Sequence, residues 1–387
     1  MEQIKDWLIR SIQEHDKLQE IIHELAQRLR AQGILVDRLF IGHHFLHPLF
    51  LNTLYQWTSS TQETSFRVIQ KVETRQNMLK NSPVAFMAKT NRPLHKKLIG
   101  EDTGFGLIND LQDEGFTDYI LYPIPRKKQS EQQFPFYAFS IATQAPGGFP
   151  EDVMDSLKDF EMHLSLVLEY HRLMMEQDML ANCYIGHRAG KRVLKGQIRL
   201  GDTETIEAFV WLCDLRSFTE LSDTYASSVI LEMLNSYFEV VVSEIQAADG
   251  EVLKYIGDAI LAIFERGSSP QDQAQRIVQA AQNTQRRIQA LNVQRRANNQ
   301  PIIEIGIGLH YGEVAYGNIG TTDRLDFTVI GSAVNHCSRI EAQCKPLNNN
   351  ILCSSVFAKL HHNLEALAEV SLKGIQNPQW IFRPRST

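Results

Sequence analysis

The sequence predicts an α+β protein, with an α/β region at the N-terminal side, a long heptad-patterned helix, and an α+β layer at the C-terminal side. Three observations carry that expectation. Apolar residues recur at helical spacing near the N-terminus and again after Pro150. Short strand-like runs separated by polar loops fill residues 34–148, and residues 250–264 read as a β-hairpin closed by the dipeptide Gly257-Asp258. The expected organisation is an N-terminal helix over 1–33, a folded domain over 34–150, a coiled-coil helix and connector over 151–200, and a last domain over 201–387.

Composition narrows the class. The 387 residues are 43% hydrophobic and 22% charged, the pattern of an ordinary water-soluble protein with room for two or three cores. With 39 basic and 45 acidic residues the net charge is -6, which gives no footprint for nucleic acid. Five cysteines (Cys183, Cys213, Cys337, Cys344, Cys353) are odd in number and show no CxxC spacing, so a reduced, cytoplasmic protein is expected. Charges interrupt the first residues throughout, which argues against a signal peptide and a membrane span.

Ile4, Leu8, Ile12, Leu18, Ile22, Leu25 and Leu29 predict one amphipathic helix that Gly33 ends. Residues 36–41, 66–72, 84–88, 119–123 and 136–142 are the expected strands, and the charged insert 126–133 reads as a surface hairpin loop. His43, His44 and His47 cluster in IGHHFLHPLF. On a helix His43 and His47 share a face and suit a metal or haem; without a third ligand type nearby, a loop or domain wall is the plainer reading. Val153, Leu157, Phe160, Leu164, Val167, His171 and Met174 advance by four and three alternately, the seam of a parallel coiled coil. His171 is neutral when buried there, and protonation near pH 6 would loosen the stalk. Residues 183–201 form a basic, glycine-punctuated connector.

In the last domain an apolar run, 208–213, leads to Asp214 at a strand end, and Asp258 stands at the hairpin tip. Two carboxylates on stiff strand ends, with no His or Cys ligand set nearby, suit Mg²⁺ or Mn²⁺ rather than Zn²⁺. Either acid alone is also an ordinary solvated turn residue. Helices are expected over 227–248 and 271–298, and strands over 302–311, 314–319 and 325–330, with Gly312-Glu313 as a turn. A helix then carries Asn335 and Arg339 on one face. Strands at 350–353, 368–372 and 380–383 complete a mixed sheet with its helices on one face.

Asp214 with KYIGD (Lys254, Asp258), DFTVIG (Thr328) and NHCSR (Asn335, Arg339), in that order, resembles the class III nucleotidyl cyclases over roughly residues 200–385. The resemblance implies a ferredoxin-like catalytic domain that works as a homodimer. Asp214 and Asp258, helped by the Leu215 carbonyl, would bind two Mg²⁺ or Mn²⁺ ions per site. Lys254 and Thr328 would read the purine, Asn335 and Arg339 would stabilise the transition state, and Lys373 would reach the terminal phosphates, with Arg324 near another basic family position. The Lys and Thr pair resembles the adenylyl subgroup of bacterial type, which implies ATP as substrate and cyclic AMP and pyrophosphate as products. A guanylate cyclase and a catalytically silent nucleotide-binding regulator are the alternatives. The family pattern is departed from at Ser217, where glycine is usual, at Ser332, where aspartate is usual, and at His336-Cys337. Residues 34–150 with the helix after Pro150 resemble a GAF-like sensor domain, which implies a small-molecule or ion regulator acting on the N-terminal side.

Overall fold

A computed structural model describes residues 1–44, 50–70, 82–100, 102–126 and 136–385. The chain divides into two compact units, Met1–Leu180 and Ala181–Thr387, each built around its own sheet. Among the described residues no helix is long and apolar enough to cross a membrane.

In the first unit the N-terminal stripe forms two helices, α1 (Glu2–Glu14) and α2 (Leu18–Ala31), where one was expected. The positions that would continue the apolar face of α1 fall on His15 and Asp16, so nothing favours carrying the helix through, and His15 is extended. Six strands follow: β1 (Arg38–His44), β2 (Phe50–Thr58), β3 (Glu63–Gln70), β4 (Leu94–Lys97), β5 (Asp118–Pro125) and β6 (Phe136–Thr143). They form an antiparallel sheet in the order β3-β2-β1-β6-β5-β4. Residues 84–88, expected as a strand, lie in helix α3 (Pro83–Thr90). Ser82 Oγ accepts from the Ala85 N–H and Pro83 stands at the first helical position, and these start signals outweigh the short apolar run. Strands β2 and β4 and helix α4 (Gly106–Asp113) were not expected.

His43 and His44 end strand β1, so no helix begins there to bring His43 and His47 to one face; His47 lies outside the described residues. Residues 71–72 and 127–133, parts of an expected strand and loop, lie outside them too. One sheet face packs α1, α2 and helix α5 (Val153–Tyr184); the other packs α3 and α4. Val153, Leu157, Phe160, Leu164 and Val167 are buried in that first core, so the stripe read as an intermolecular seam is filled within the unit, while Met174 is exposed. His171 is buried, and burial holds its imidazole below the usual range. Met162, Leu166, Leu173 and Leu180, which the first pattern left out, are exposed on α5 as well.

The second unit contains helix α6 (His187–Leu194), strand β7 (Thr203–Leu215) and helices α7 (Phe218–Thr224) and α8 (Ser227–Ala247). The hairpin β8 (Glu251–Ile256) and β9 (Ala259–Glu265) and helix α9 (Pro270–Ala297) follow. The rest is β10 (Ile305–Thr321), β11 (Arg324–Ile330), α10 (Ser332–Glu341), β12 (Ile351–Ser354), the single turn α11 (Ser355–Ala358), β13 (Leu364–Val370) and β14 (Gln379–Pro384). The strand order is β13-β14-β12-β10-β7-β9-β8, with β11 also paired to β10. Gly312-Glu313 is not a turn: β10 runs through it for 17 residues, held along Ile305 to Gly317 by β7.

Helices cover both sheet faces, not one. Phe209 and Trp211 pack under α8 and α9, whereas Ala208 and Val210 pack toward α6 and α10. A strand apolar on alternate and intervening residues alike must be covered twice. Helix α6, unexpected within the connector, is tied to the sheet by Glu251. That buried carboxylate accepts from the Arg188 and Ala189 N–H groups at 3.0 and 2.9 Å through one oxygen and from the Tyr316 hydroxyl at 2.8 Å through the other. An acid at a helix N-terminus satisfies groups the helix leaves open. Glu251→Ala is expected to destabilise the fold by about 3 kcal/mol, since three donors lose their acceptor, and Glu251→Gln by less. Equilibrium urea denaturation measures both.

Candidate active site

Two acids converge because two strands end together. Strand β7 pairs with β9 from Ala208 opposite Glu265 to Cys213 opposite Ile260. The next residue on β7 is Asp214, and the hairpin reaches Asp258 just before Ala259, at the same sheet edge. Gly257, at φ +65, takes a left-handed conformation that lets a two-residue turn close between Ile256 and Ala259. The Asp214 carboxyl is pushed up to about 6, first by partial burial and then by the Asp258 carboxyl beside it. The Leu215 N–H, 3.0 Å from Asp214 Oδ1, opposes that rise. Leu215 itself is buried at the strand end.

A pair of crowded, uncompensated carboxyls is a donor set of hard oxygens and fits Mg²⁺ or Mn²⁺. Among the described residues no group of three or more His, Cys, Asp or Glu is arranged to hold a metal, so further ligands would be carbonyl, water or phosphate oxygens.

Glu341, the last residue of α10, is a third acid that the sequence reading passed over. Burial pushes its carboxyl up to about 7, and Asp214 adds to the rise while Arg216 opposes it. Arg216 in turn donates to the Cys344 and Asn349 carbonyls at 3.2 and 2.7 Å. Space for Glu341 comes from β10: a side chain on Gly306 would stand 2.4 Å from Glu341 Oε1. The alternating glycines of GIGLH, facing a helix that ends in Glu, were the available signal.

Lys254 and Thr328 are brought near one another. Lys254 on β8 forms an ion pair with Asp326 on β11, and Thr328 follows two residues later on the same strand. Thr328 is 5% exposed and its hydroxyl has no hydrogen-bond partner, an unfilled position for a polar ligand atom. Asn335 is exposed on α10, and Arg339, one turn on, is half-buried with its guanidinium against Gly374, next to Lys373. Among the described residues no ion pair or hydrogen bond joins Arg339 to Asp214 or Asp258. Lys373 is exposed. Arg324 opens strand β11 at the β10–β11 turn, opposite Thr321 and two residues before Asp326.

Residues 203–382 match the family model described as Adenylate and Guanylate cyclase catalytic domain. An adenylate cyclase of Anabaena cylindrica is 34% identical over 200 residues, which is 50% of this chain and 38% of that protein. The chain thus spans less than two fifths of the length of the curated relatives it matches. The solved structure of the adenylyl cyclase CyaB from P. aeruginosa is 25% identical and covers 48% of this chain and 96% of that one, with a TM-score of 0.44. That of the guanylyl cyclase Cya2 is 28% identical and covers 46% and 92%, with a TM-score of 0.42. The family match and the curated relative support a class III adenylyl/guanylyl cyclase catalytic domain over residues 203–382.

The crowding of Asp214 has a consequence for stability. A carboxyl whose folded value lies above its unfolded value of about 3.9 destabilises the fold where it is ionised in both states, above about pH 6, and has no such effect below about pH 4. Asp214→Asn is expected to raise the stability of metal-free protein at about pH 8 by about 1–2 kcal/mol, after discounting for solvent screening. The gain vanishes toward pH 4. Thermal melts across that range, with chelator present, check it.

Proposed function

We propose that the protein is an adenylate cyclase that converts ATP to cyclic AMP and pyrophosphate at sites shared by two copies of the chain. The observation that carries this reading is the convergence of Asp214 and Asp258 at one sheet edge, where partial burial and then the neighbouring carboxyl raise the Asp214 carboxyl to about 6. In this reading the pair holds two divalent ions, with the Leu215 carbonyl as a further ligand. Ions so held would lower the pKa of the ribose 3′ hydroxyl and offset the triphosphate charge.

The chain's own groups account for the rest. Asp214 and Asp258 fix the triphosphate end of the substrate on rigid strand ends. Lys254, steadied by Asp326, donates to adenine N1, and the orphaned Thr328 hydroxyl accepts from the N6 amino group. Guanine presents the opposite polarity at that edge, with an N1–H that cannot accept from Lys254. Asn335 and Arg339 hold the charge that develops on the α phosphate, and Lys373, beside Arg339 at Gly374, takes the terminal phosphates. Arg324, on the same strand as Thr328, is a further basic group for the substrate.

Asn335 and Arg339 face away from the core and make no bond to the acid pair of their own chain. In this reading a second copy supplies them. The first unit is read as a GAF-like sensor whose small-molecule or ion regulator acts through a paired stalk. Because the Val153 to Val167 stripe is filled within the unit, the stalk contact falls to Met162, Leu166, Leu173 and Leu180. The protein is placed in the cytoplasm.

Two outcomes test the reading. With Mn²⁺ present, ATP is expected to turn over faster than GTP, and Thr328→Val to reduce that preference by about tenfold. Asp258→Ala and Arg339→Ala proteins, each inactive alone, are expected to recover part of the activity when mixed, because one composite site is then intact. Absence of recovery in a demonstrated mixed dimer overturns the shared site.

A further inference from the structure

Strand β10 outruns its neighbours. One edge pairs with β7 from Ile305 to Gly317, but on the other edge β12 covers only Ile307 to Leu309 and β11 begins at Ala315. From His310 to Val314 no strand lies on that edge, and a cavity of about 580 Å³ opens there, within the ordinary size of small-molecule sites. Its other walls are α10, the start of α11, and β14. No group of the proposed cyclase chemistry lines it.

Two unlike surfaces meet in this notch. Ile330, Val356 and Trp380 are 52%, 43% and 49% exposed, and all three line it, which leaves open apolar area in the notch. The first turn of α10, just after Ile330, also lines it and has no side-chain cap, so it presents the positive end of the helix to the notch. Beside that turn lies His310, only 7% exposed, with an Nδ1 that has no hydrogen-bond partner. A buried orphan nitrogen marks a partner position left unfilled. The His336 ring stacks on it, centroids 5.1 Å apart and planes 11° from parallel, with its own Nδ1 3.2 Å from the Ser332 carbonyl. Burial pushes His310 down to about 4, so its ring is neutral at pH 7 and offers one N–H. Small residues keep the floor open: a side chain on Gly312 would stand 3.0 Å from Ala333 Cβ.

We infer that the notch binds a small amphipathic carboxylate, its head at the α10 N-terminus and the His310–His336 pair, its apolar body against Trp380, Val356 and Ile330. Glu313, exposed at the rim, disfavours a second negative charge and limits the ligand to a monoanion. The inference stands apart from the proposed activity, since it concerns other residues and is read by binding alone.

The test uses the full chain with cyclohexanecarboxylate as probe, against cyclohexanecarboxamide and cyclohexylmethylamine of the same shape, followed by tryptophan fluorescence and ligand-observed NMR. Saturable carboxylate binding is expected, about tenfold or more tighter than the carboxamide. Trp380→Phe should abolish the fluorescence change while NMR binding persists, and Trp380→Ala should weaken binding itself. His336→Ala, at the rim and outside the buried core, should weaken the carboxylate about tenfold and leave the carboxamide unchanged; it serves even where His310→Phe fails to fold. Equal affinity for carboxylate and carboxamide, preference for the amine, or binding unmoved by Trp380→Ala and His336→Ala overturns the inference. So does dissociation of a dimer by the probe in sedimentation, which would make the notch a contact between copies.

Discussion

Two carboxyls cannot be held side by side, half out of water, unless something stronger fixes the backbone beneath them. Here that something is the ladder between β7 and β9. It runs unbroken from Ala208 to Cys213, with Trp211 and Phe209 buried on one side and Val210 on the other. Asp214 and Asp258 then leave the sheet at its edge, too close for both to ionise without penalty. Local strain of this kind persists where the surroundings over-determine it. Tyr237 adds to that determination: its hydroxyl, buried under α8, donates to the Cys213 carbonyl at 3.3 Å, one residue before the acid.

Helix α10 shows how one short element serves several demands at once. Ala333, Cys337 and Ile340 face the core. The Cys337 thiol, buried and pushed well up, donates to the Val210 and Gly308 carbonyls and so pins the helix across β7 and β10. That leaves Asn335 and Arg339 on a face with no work to do in folding, and places Glu341 beside the acid pair. His336 falls between the two faces, against His310. With ten residues, the helix has no room for a change that touches a single role.

The sequence displayed the acids and the hairpin because those signals are local. Gly257-Asp258 between alternating apolar residues can hardly be anything but a tight turn, and the apolar run before Asp214 reads as a buried strand. Glu341 was not legible, because its meaning depends on Gly306, far off in the chain and visible only once β10 and α10 are packed. The Gly312-Glu313 pair misled for a related reason: glycine that marks a turn in isolation here admits the close approach of Ala333 while β7 keeps the strand straight. The stripe on α5 misled through degeneracy. Spacing of four and three fits a partner helix and a sheet of the same unit equally, and only the burial of Leu157, Phe160 and Leu164 in one core separates them. Residues 84–88 lost their strand to a cap, Ser82 with Pro83, lying just outside the apolar window.

The connector gains a mechanical meaning from Glu251. As a sequence it was a basic, glycine-punctuated linker; as a structure it holds α6, whose first turn is fastened to the first residue of β8. The same strand carries Lys254 three residues on and runs into the turn that presents Asp258. A displacement of α6 that preserved those hydrogen bonds would therefore be felt by Lys254 and by one of the two acids together. One that broke them would strand two helix N–H groups and one Glu251 oxygen, each costing about 1–3 kcal/mol if left buried and unpaired. The second course is the more expensive, so a displacement that keeps the joint intact is the favoured one.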